Sequence, residues 1–497
     1  MPYLLYPTIL EGAPYLCKMQ ILNYINGALQ APVNNNWLDN PEPATGKVYS
    51  QIPDSDFDDV QMAVTAAKEA FPAWSALSRA ERSDLLRKLS DLILKNLDTL
   101  AAAESRDNGK PLWLAKRVDI PRAAENFRFF SNAVLQWHDE AHHMDGHFIN
   151  YTTHQPIGVV TCISPWNLPL YLFSWKVAPA LAAGCCVVAK PSEVTPMSAF
   201  LLSQLCIEAG FPPGVFNIVH GTGPKAGDAM INHRDIKAIS FTGGTKTGAY
   251  IASKAAPLFK KLSLELGGKN ANIIFADCDW DKMMKTTLRS SFENQGQICL
   301  CGSRILVERS VYERFKNEFV EKVKTLKVGD PKDDHSRMGA IVSKQHFDKI
   351  LSCIELAKEE GGKILCGGEA VSVPGECQEG WFIAPTVIEG LTQNCRTNQE
   401  EIFGPVVTIQ PFDTEEEAIS YANATEYGLA GSLWTQDISR AHRVANKVES
   451  GILWVNCWLI RDLRTPFGGM KQSGVGREGG MHALEFFTET KNVCVSL

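Results

Sequence analysis

Three short segments hold side chains that could do covalent chemistry at a carbonyl. In Asn294-Gln295-Gly296-Gln297-Ile298-Cys299-Leu300-Cys301 a thiol follows a glycine-containing bend. A thiolate there could attack a carbonyl carbon, although a bare cysteine is more often a buried structural thiol. In Lys261-Leu262-Ser263-Leu264-Glu265-Leu266-Gly267-Gly268-Lys269-Asn270 a carboxylate ends a strand-like run and meets a Gly-Gly turn. Apolar neighbours raise a carboxyl pKa, which suits a general base; the plainer alternative is a capping or salt-bridged glutamate. In Ser164-Pro165-Trp166-Asn167 an amide follows a strand and could donate to a developing oxyanion. On the residues alone, an asparagine that merely bonds its own turn is the stronger reading.

Three further turns could hold phosphate and ribose. Gly221-Thr222-Gly223-Pro224-Lys225-Ala226 matches G-x-G-x-x-A after a strand, a weak signal by itself. Phe241-Thr242-Gly243-Gly244-Thr245-Lys246-Thr247-Gly248 joins a strand to a helix, whose first N–H groups would face an anion. Lys190-Pro191-Ser192-Glu193 ends another strand, where an acidic residue could accept from a ribose or simply cap a helix. Together the three turns favour a dinucleotide over a mononucleotide.

The elements that must position these groups alternate. A strand at Leu22–Ile25 meets an Asn26-Gly27 turn. Periodicity predicts helices over Asp56–Phe71, Ala80–Asn96, Leu97–Asn108 and Val118–Phe130. Strands are expected at Gly158–Ile163, Cys186–Lys190, Phe216–Val219 and Ile236–Phe241. Helices separate them from about Phe173 to Ala183, Pro196 to Ala209 and onward from Thr245. A second strand–helix series starts at Ala271–Phe275, with helices near Asp279–Asn294 and Val311–Leu326. Such alternation means parallel sheets with crossover helices, a Rossmann-like α/β domain followed by a second α/β unit.

A chain of 497 residues is too long for one ordinary core. Hydrophobic residues at 45% and charged residues at 21% exclude a disordered chain. A net charge of -7 and no basic tract argue against nucleic acid, and no apolar run approaches a membrane span. The 14 cysteines show no C-x-x-C pair, so no metal site is expected. Without a secretion signal they read as reduced thiols in the cytoplasm. His142 and His143 read as a solvated segment rather than metal ligands. Residues 1–18, interrupted by prolines, read as an N-terminal extension ahead of the patterned chain that starts at Met19.

Pro165-Trp166-Asn167, Lys190-Pro191-Ser192-Glu193, Phe241-Thr242-Gly243, Leu264-Glu265-Leu266-Gly267-Gly268-Lys269, Gly296-Gln297-Ile298-Cys299, Glu401-Ile402-Phe403-Gly404-Pro405 and Pro466-Phe467-Gly468-Gly469 resemble the aldehyde dehydrogenase superfamily in the family's order from about Met19. The resemblance implies NAD as cofactor and a thioester route. It makes Cys299 rather than Cys301 the nucleophile, Glu265 the base for the deacylating water, and Asn167 with the Cys299 N–H the oxyanion hole. Ile163, Ser164, Pro165, Trp166, Lys190, Ser192, Glu193 and Gly223 would bind the cofactor. So would Phe241, Thr242, Gly243, Gly244, Thr245, Leu266, Glu401 and Phe403. Among these, Lys190 and Glu193 would hold the adenosine ribose, Gly244 and Thr245 the pyrophosphate, and Glu401 and Phe403 the nicotinamide riboside. Gly244 replaces a commoner Ser and loses a hydroxyl donor. The implied units are an NAD-binding domain at 19–134 and 156–264 and a catalytic domain at 265–475. A small β oligomerisation hairpin at 135–155 and 481–497 would pair subunits into a homodimer or homotetramer.

Asp119-Ile120-Pro121-Arg122, Asn126-Phe127-Arg128-Phe129-Phe130 and Cys457-Trp458-Leu459-Ile460-Arg461 resemble the muconic semialdehyde dehydrogenases within that superfamily. Arginines facing an aldehyde tunnel suit a carboxylate. The resemblance makes Arg122 and Arg461 a carboxylate clamp, with Asn167, Trp175 and Phe467 also on the substrate. It implies oxidation of 2-aminomuconate 6-semialdehyde in tryptophan degradation by the kynurenine route, or of 2-hydroxymuconic semialdehyde from catechol meta-cleavage. A broader aliphatic or retinal-type enzyme, a CoA-acylating relative and a crystallin-like structural relative are the alternatives. The presence of both Glu265 and Cys299 weighs against the last two.

Overall fold

The computed structural model describes residues 19–497, so the expected extension 1–18 lies outside the described residues. The first sheet runs in the order Gly474–Val475, Lys261–Glu265, Ile236–Thr242, Val159–Ile163, Cys186–Lys190, Phe216–Ile218, Asn23–Ile25, Ala28–Gln30. From Lys261–Glu265 to Phe216–Ile218 all neighbours are parallel. Val159–Ile163 and Cys186–Lys190 are buried throughout, as strands covered by helices on both faces must be.

The chain leaves Val159–Ile163 first to one side, through Cys186–Lys190, and later to the other, through Ile236–Thr242. This reversal opens a crevice beyond the carboxyl ends of those strands. The register puts Ile163 level with both Lys190 and Phe241, and Thr242 level with Glu265.

Three helices depart clearly from the expected bounds, among them Ile120–Leu135, which runs on past the expected end at Phe130. Helix Phe57–Ala76 continues through Pro72, past the expected end at Phe71, because buried Trp74 two residues on packs against Phe211 at 6.2 Å. Helix Pro169–Ala183 begins before Phe173, since Pro169 is pre-set for a first turn. The Asn26-Gly27 turn forms as expected, with φ of 53° and 79°, closing a two-residue hairpin.

The second sheet runs Lys363–Cys366, Thr386–Glu389, Val406–Phe412, Arg304–Glu308, Ala271–Ile274, Ala430–Trp434, Ile452–Val455, parallel except for its first pair. The segments carrying Cys299, Glu401 and Gly268 each enter this sheet just ahead of a strand. The carboxyl edge of the first sheet therefore faces the amino edge of the second.

A third, antiparallel sheet joins Ala141–Met144, Phe148–Pro156 and Thr488–Ser496, so His142 and His143 lie on an exposed strand. The C-terminal region departs from the expected units. Gly474–Val475 pairs with Leu264 and Glu265 in the first sheet rather than closing the second unit. Helix Gly480–Phe486 buries Ala483 and Leu484 in the first core, and the pairing strand begins only at Thr488.

Candidate active site

The nucleophile loop is built from unusual backbone. Asn294, Gln295 and Gly296 are consecutive left-handed residues with φ of 53°, 57° and 68°. Such a conformation is strained for the first two. At Gly296 a Cβ would fall 2.2 Å from the Gly404 carbonyl oxygen, so no larger residue fits. Side chains hold the turn in place. Gln295 Nε2 donates to the Ala340 carbonyl at 3.0 Å, and the Val342 N–H donates to Gln297 Oε1 at 3.2 Å. The turn leaves Cys299 half-buried on a cavity wall, while Cys301 is buried and its N–H bonds the Ile298 carbonyl at 2.9 Å.

The cavity brings Cys299 together with Glu265, Arg461, Phe467, Tyr171 and Asp119. Glu265 is buried, and neither carboxyl oxygen has a protein hydrogen-bond partner among the described residues. Burial and then nearby Glu478 push its carboxyl well above the usual range, against the pull of Lys176, Arg461 and Arg477. Burial also pushes the Cys299 thiol up, helped by Glu401 and Glu265 and opposed by Arg461. Both shifts favour the protonated forms, and the two groups share one cavity wall, where Glu265 once ionised can act as a base.

Sequence reasoning missed the pair below them. Lys176 Nζ lies 2.6 Å from Glu478 Oε1, with Ser240 Oγ donating to the same oxygen at 3.2 Å. A signal was present, because a lysine inside the otherwise apolar helix Pro169–Ala183 must find a buried acid. His346 gave no comparable signal. Its Nε2 donates to the Phe403 carbonyl at 2.7 Å, and burial pushes its pKa down to about 4, so the ring is neutral.

Asn167 adjoins the cavity through its neighbour Leu168 and its hydrogen-bond partner Asn294, both of which line it. Its Nδ2 donates to the Gln297 carbonyl at 3.0 Å, and its backbone carbonyl accepts from Asn294 Nδ2 at 3.0 Å. One amide hydrogen is thus committed to the loop that carries Cys299, and the other is left over. The Cys299 N–H donates to no protein acceptor among the described residues.

The expected cofactor residues gather at the switch-point crevice. The Ser164 N–H donates to the Lys190 carbonyl at 3.1 Å, tying the turn after Ile163, with Pro165 and Trp166, to the next strand. Lys190 Nζ lies 3.0 Å from Glu193 Oε2, and Glu193 is 40% exposed. Ser192 Oγ accepts from the Val194 N–H at 3.3 Å. A Cβ on Gly223 or on Gly244 would meet nothing within 4 Å, so both backbones border open space. Gly244 precedes helix Thr245–Ala255, whose free N–H groups suit an anion. Gly243 packs on the Phe241 ring, and Thr242 and Leu266 continue the wall toward Cys299. From the second sheet, the Gly268 N–H donates to Glu401 Oε1 at 2.8 Å. Phe403, at φ 63°, meets Trp166 edge-on at 5.2 Å. An exposed Glu193 carboxylate, an open helix start and an aromatic floor fit a dinucleotide.

The expected substrate residues separate. Arg461 and Phe467 line the cavity, with the guanidinium 4.1 Å from the Phe467 ring centroid. Trp175 does not line it: its buried indole supports the Arg461 guanidinium from behind at 4.7 Å. Arg122 also stands outside the enclosed wall, pairing with Glu125 at 2.7 Å one turn along its helix. It lies 6.0 Å from the Tyr171 ring, whose hydroxyl accepts from Arg461.

Comparison with known proteins matches this arrangement. The model of the aldehyde dehydrogenase family spans residues 31–493. A 2-aminomuconic semialdehyde dehydrogenase of Danio rerio is 53% identical over 477 residues, which cover 95% of this chain and 97% of that protein. A 2-hydroxymuconic semialdehyde dehydrogenase of Pseudomonas sp. (strain CF600) is 45% identical over 484 residues, covering 96% of this chain and all of the relative, at 100%. An aldehyde dehydrogenase of Bacillus cereus, solved as an NAD+ complex, superposes with a TM-score of 0.94 at 40% identity, over 96% of this chain and 97% of that one. With a thiol, a buried carboxyl and a dinucleotide crevice meeting between two parallel sheets, the chain belongs to the aldehyde dehydrogenase family.

Proposed function

We propose that this chain oxidises a semialdehyde that carries a carboxylate, foremost 2-aminomuconate 6-semialdehyde, with NAD as acceptor. The observation that carries the reading is Arg461, a cation in the aldehyde cavity that forms no ion pair among the described residues. A guanidinium so placed is free to take a substrate carboxylate. The names of those two relatives support the choice of substrate. Arg122, across the Tyr171 ring, would join the clamp by releasing Glu125.

With Glu265 ionised, Cys299 Sγ attacks the aldehyde carbon while its proton passes to the Glu265 carboxylate and on to solvent, which leaves Glu265 ionised again. The carbonyl oxygen becomes an alkoxide held by the second Asn167 amide hydrogen and the Cys299 N–H, donors that stabilise the charge without protonating it. Bound NAD would supply the hydride acceptor. Lys190 and Glu193 would hold its adenosine ribose, the Gly244–Thr245 helix start its pyrophosphate, and Glu401 and Phe403 its nicotinamide end. Glu265 then takes a proton from water, which attacks the thioester carbon. The C–S bond breaks and Cys299 recovers its proton.

The sheet of 141–144, 148–156 and 488–496 would pair copies into a homodimer or homotetramer, a reading supported by exposed Met144, Phe148 and Val495. No helix among the described residues is long and apolar enough to cross a membrane. The unpaired cysteines support a reducing compartment such as the cytoplasm.

The test is a panel of 2-hydroxymuconic semialdehyde, 6-oxohexanoate and hexanal, each with NAD and with NADP. The two semialdehyde acids should lead hexanal in kcat/KM. NAD should lead NADP, because a 2′-phosphate would meet the Glu193 carboxylate. A lead for hexanal would remove the carboxylate reading.

A further inference from the structure

Behind Asn167 lies a charged cluster that the chemistry above does not use. Lys110, Glu104 and Asp119 are all buried, at 0%, 0% and 1% exposure. Lys110 Nζ lies 2.6 Å from Asp119 Oδ2 and 3.6 Å from Glu104 Oε1. It also donates to the Asn167 carbonyl at 3.1 Å. Glu104 Oε2 accepts from the Leu170 N–H at 3.1 Å, and Asn108 Nδ2 donates to the Trp166 carbonyl at 2.9 Å. Three side chains from residues 104–110 therefore grip the backbone at 166, 167 and 170.

Buried ion clusters seldom stabilise a fold more than apolar packing of the same volume would. This one converges on the segment from which the Asn167 amide projects. The segment needs outside support, because it is an irregular turn between strand Val159–Ile163 and helix Pro169–Ala183. The helix lacks a side-chain cap, and Glu104 supplies the missing acceptor from another element.

We propose that Lys110 is a positioning residue for the oxyanion hole. By pinning the Asn167 carbonyl, and being pinned in turn by Asp119 and Glu104, it holds the Asn167 amide on the Gln297–Cys299 loop. The inference rests on the reading of Asn167 as an oxyanion donor. Asp119 is the member of the cluster that also reaches the cavity wall, so the support extends to the cavity that holds Cys299.

A double-mutant cycle tests it, read as the first-turnover burst of NADH with 2-hydroxymuconic semialdehyde. Lys110→Gln should slow the burst about 10- to 100-fold, as small misplacements of reacting groups do, with little change in KM. Asn167→Ala should slow it as well. A residue acting through Asn167 has nothing left to position once the amide is gone. The Asn167→Ala/Lys110→Gln protein should then be no slower than Asn167→Ala alone. If Lys110→Gln fails to fold, the neutral variant K110Q/E104Q/D119N, which leaves no buried charge unpaired, goes round the same cycle. Losses that multiply would make Lys110 a scaffold residue and overturn this inference alone. An unimpaired Asn167→Ala would overturn the oxyanion reading and this inference with it.

Discussion

Arg461 donates through Nη1 to the Tyr171 hydroxyl at 3.1 Å, joining a loop beyond the second sheet to a helix of the first domain across the aldehyde cavity. Phe467 and Trp175 flank the same guanidinium, so its position is set by aromatic surfaces and one neutral oxygen. Its charge is unspent. Arg464, three residues on, is 80% exposed and fully engaged by Asp462 at 2.5 Å.

That contrast predicts selectivity. Arg461→Ala should raise KM for a semialdehyde acid by roughly 10- to 150-fold, the worth of a charge-assisted hydrogen bond of ~1.5–3 kcal/mol. Hexanal should lose little. Arg122→Ala should show the same selectivity at smaller size, because Glu125 already competes for its charge. Arg464→Ala should show none. Equal losses for both substrates in Arg461→Ala would mean that the guanidinium only braces the tunnel.

The two thiols of the nucleophile segment should separate cleanly. Cys299→Ala should abolish oxidation while NAD still binds, since only Cys299 opens on the large cavity beside Glu265. Cys301→Ala should keep turnover: that thiol is buried and burial pushes it up to about 12. Steady-state assays with cofactor titration by fluorescence check both, and the reverse pattern would exchange the assignments.

Glu265→Ala should stall the cycle after the first turnover. Hydrolysis of the thioester needs the base, so an NADH burst should precede a slow steady state. Intact-mass spectrometry should find the acyl group on Cys299. A full steady-state rate would assign the base elsewhere.

The pH profile should answer to Glu478. Glu265 works deprotonated, and burial with the Glu478 charge holds its pKa above the usual carboxylate value, so kcat should rise as pH climbs through that raised value. Glu478→Gln removes the like charge and leaves Lys176 beside Glu265 without its counter-ion. Both changes favour the carboxylate, and the rise should move to lower pH. An unmoved profile would uncouple the two acids.

Much of this architecture is local and therefore legible in the chain. Cys186–Lys190 and Leu97–Asn108 have the bounds their periodicity and stop signals predict, because propensity, burial pattern and Gly109 agree there. Helix Phe57–Ala76 overran its expected end because the burial of Trp74 is a tertiary gain that outweighs the local penalty at Pro72.

The motif segments were also recognisable one by one, including Cys299, Glu265 and the glycine turns. What the sequence could not order was their meeting. The register that sets Thr242 beside Glu265 comes from strand pairing, and the return of Gly474–Val475 to the first sheet pairs it with Leu264 and Glu265, a whole domain's length back in the chain. The pairing of Lys176 with Glu478, the grip of Lys110 on Asn167 and the separation of Arg122 from the cavity wall are likewise contacts between distant elements. Amino-acid type and spacing determined which groups could react. Only tertiary packing decided which were buried, which charges were already paired, and which of two arginines was left on the cavity wall without an ion pair among the described residues.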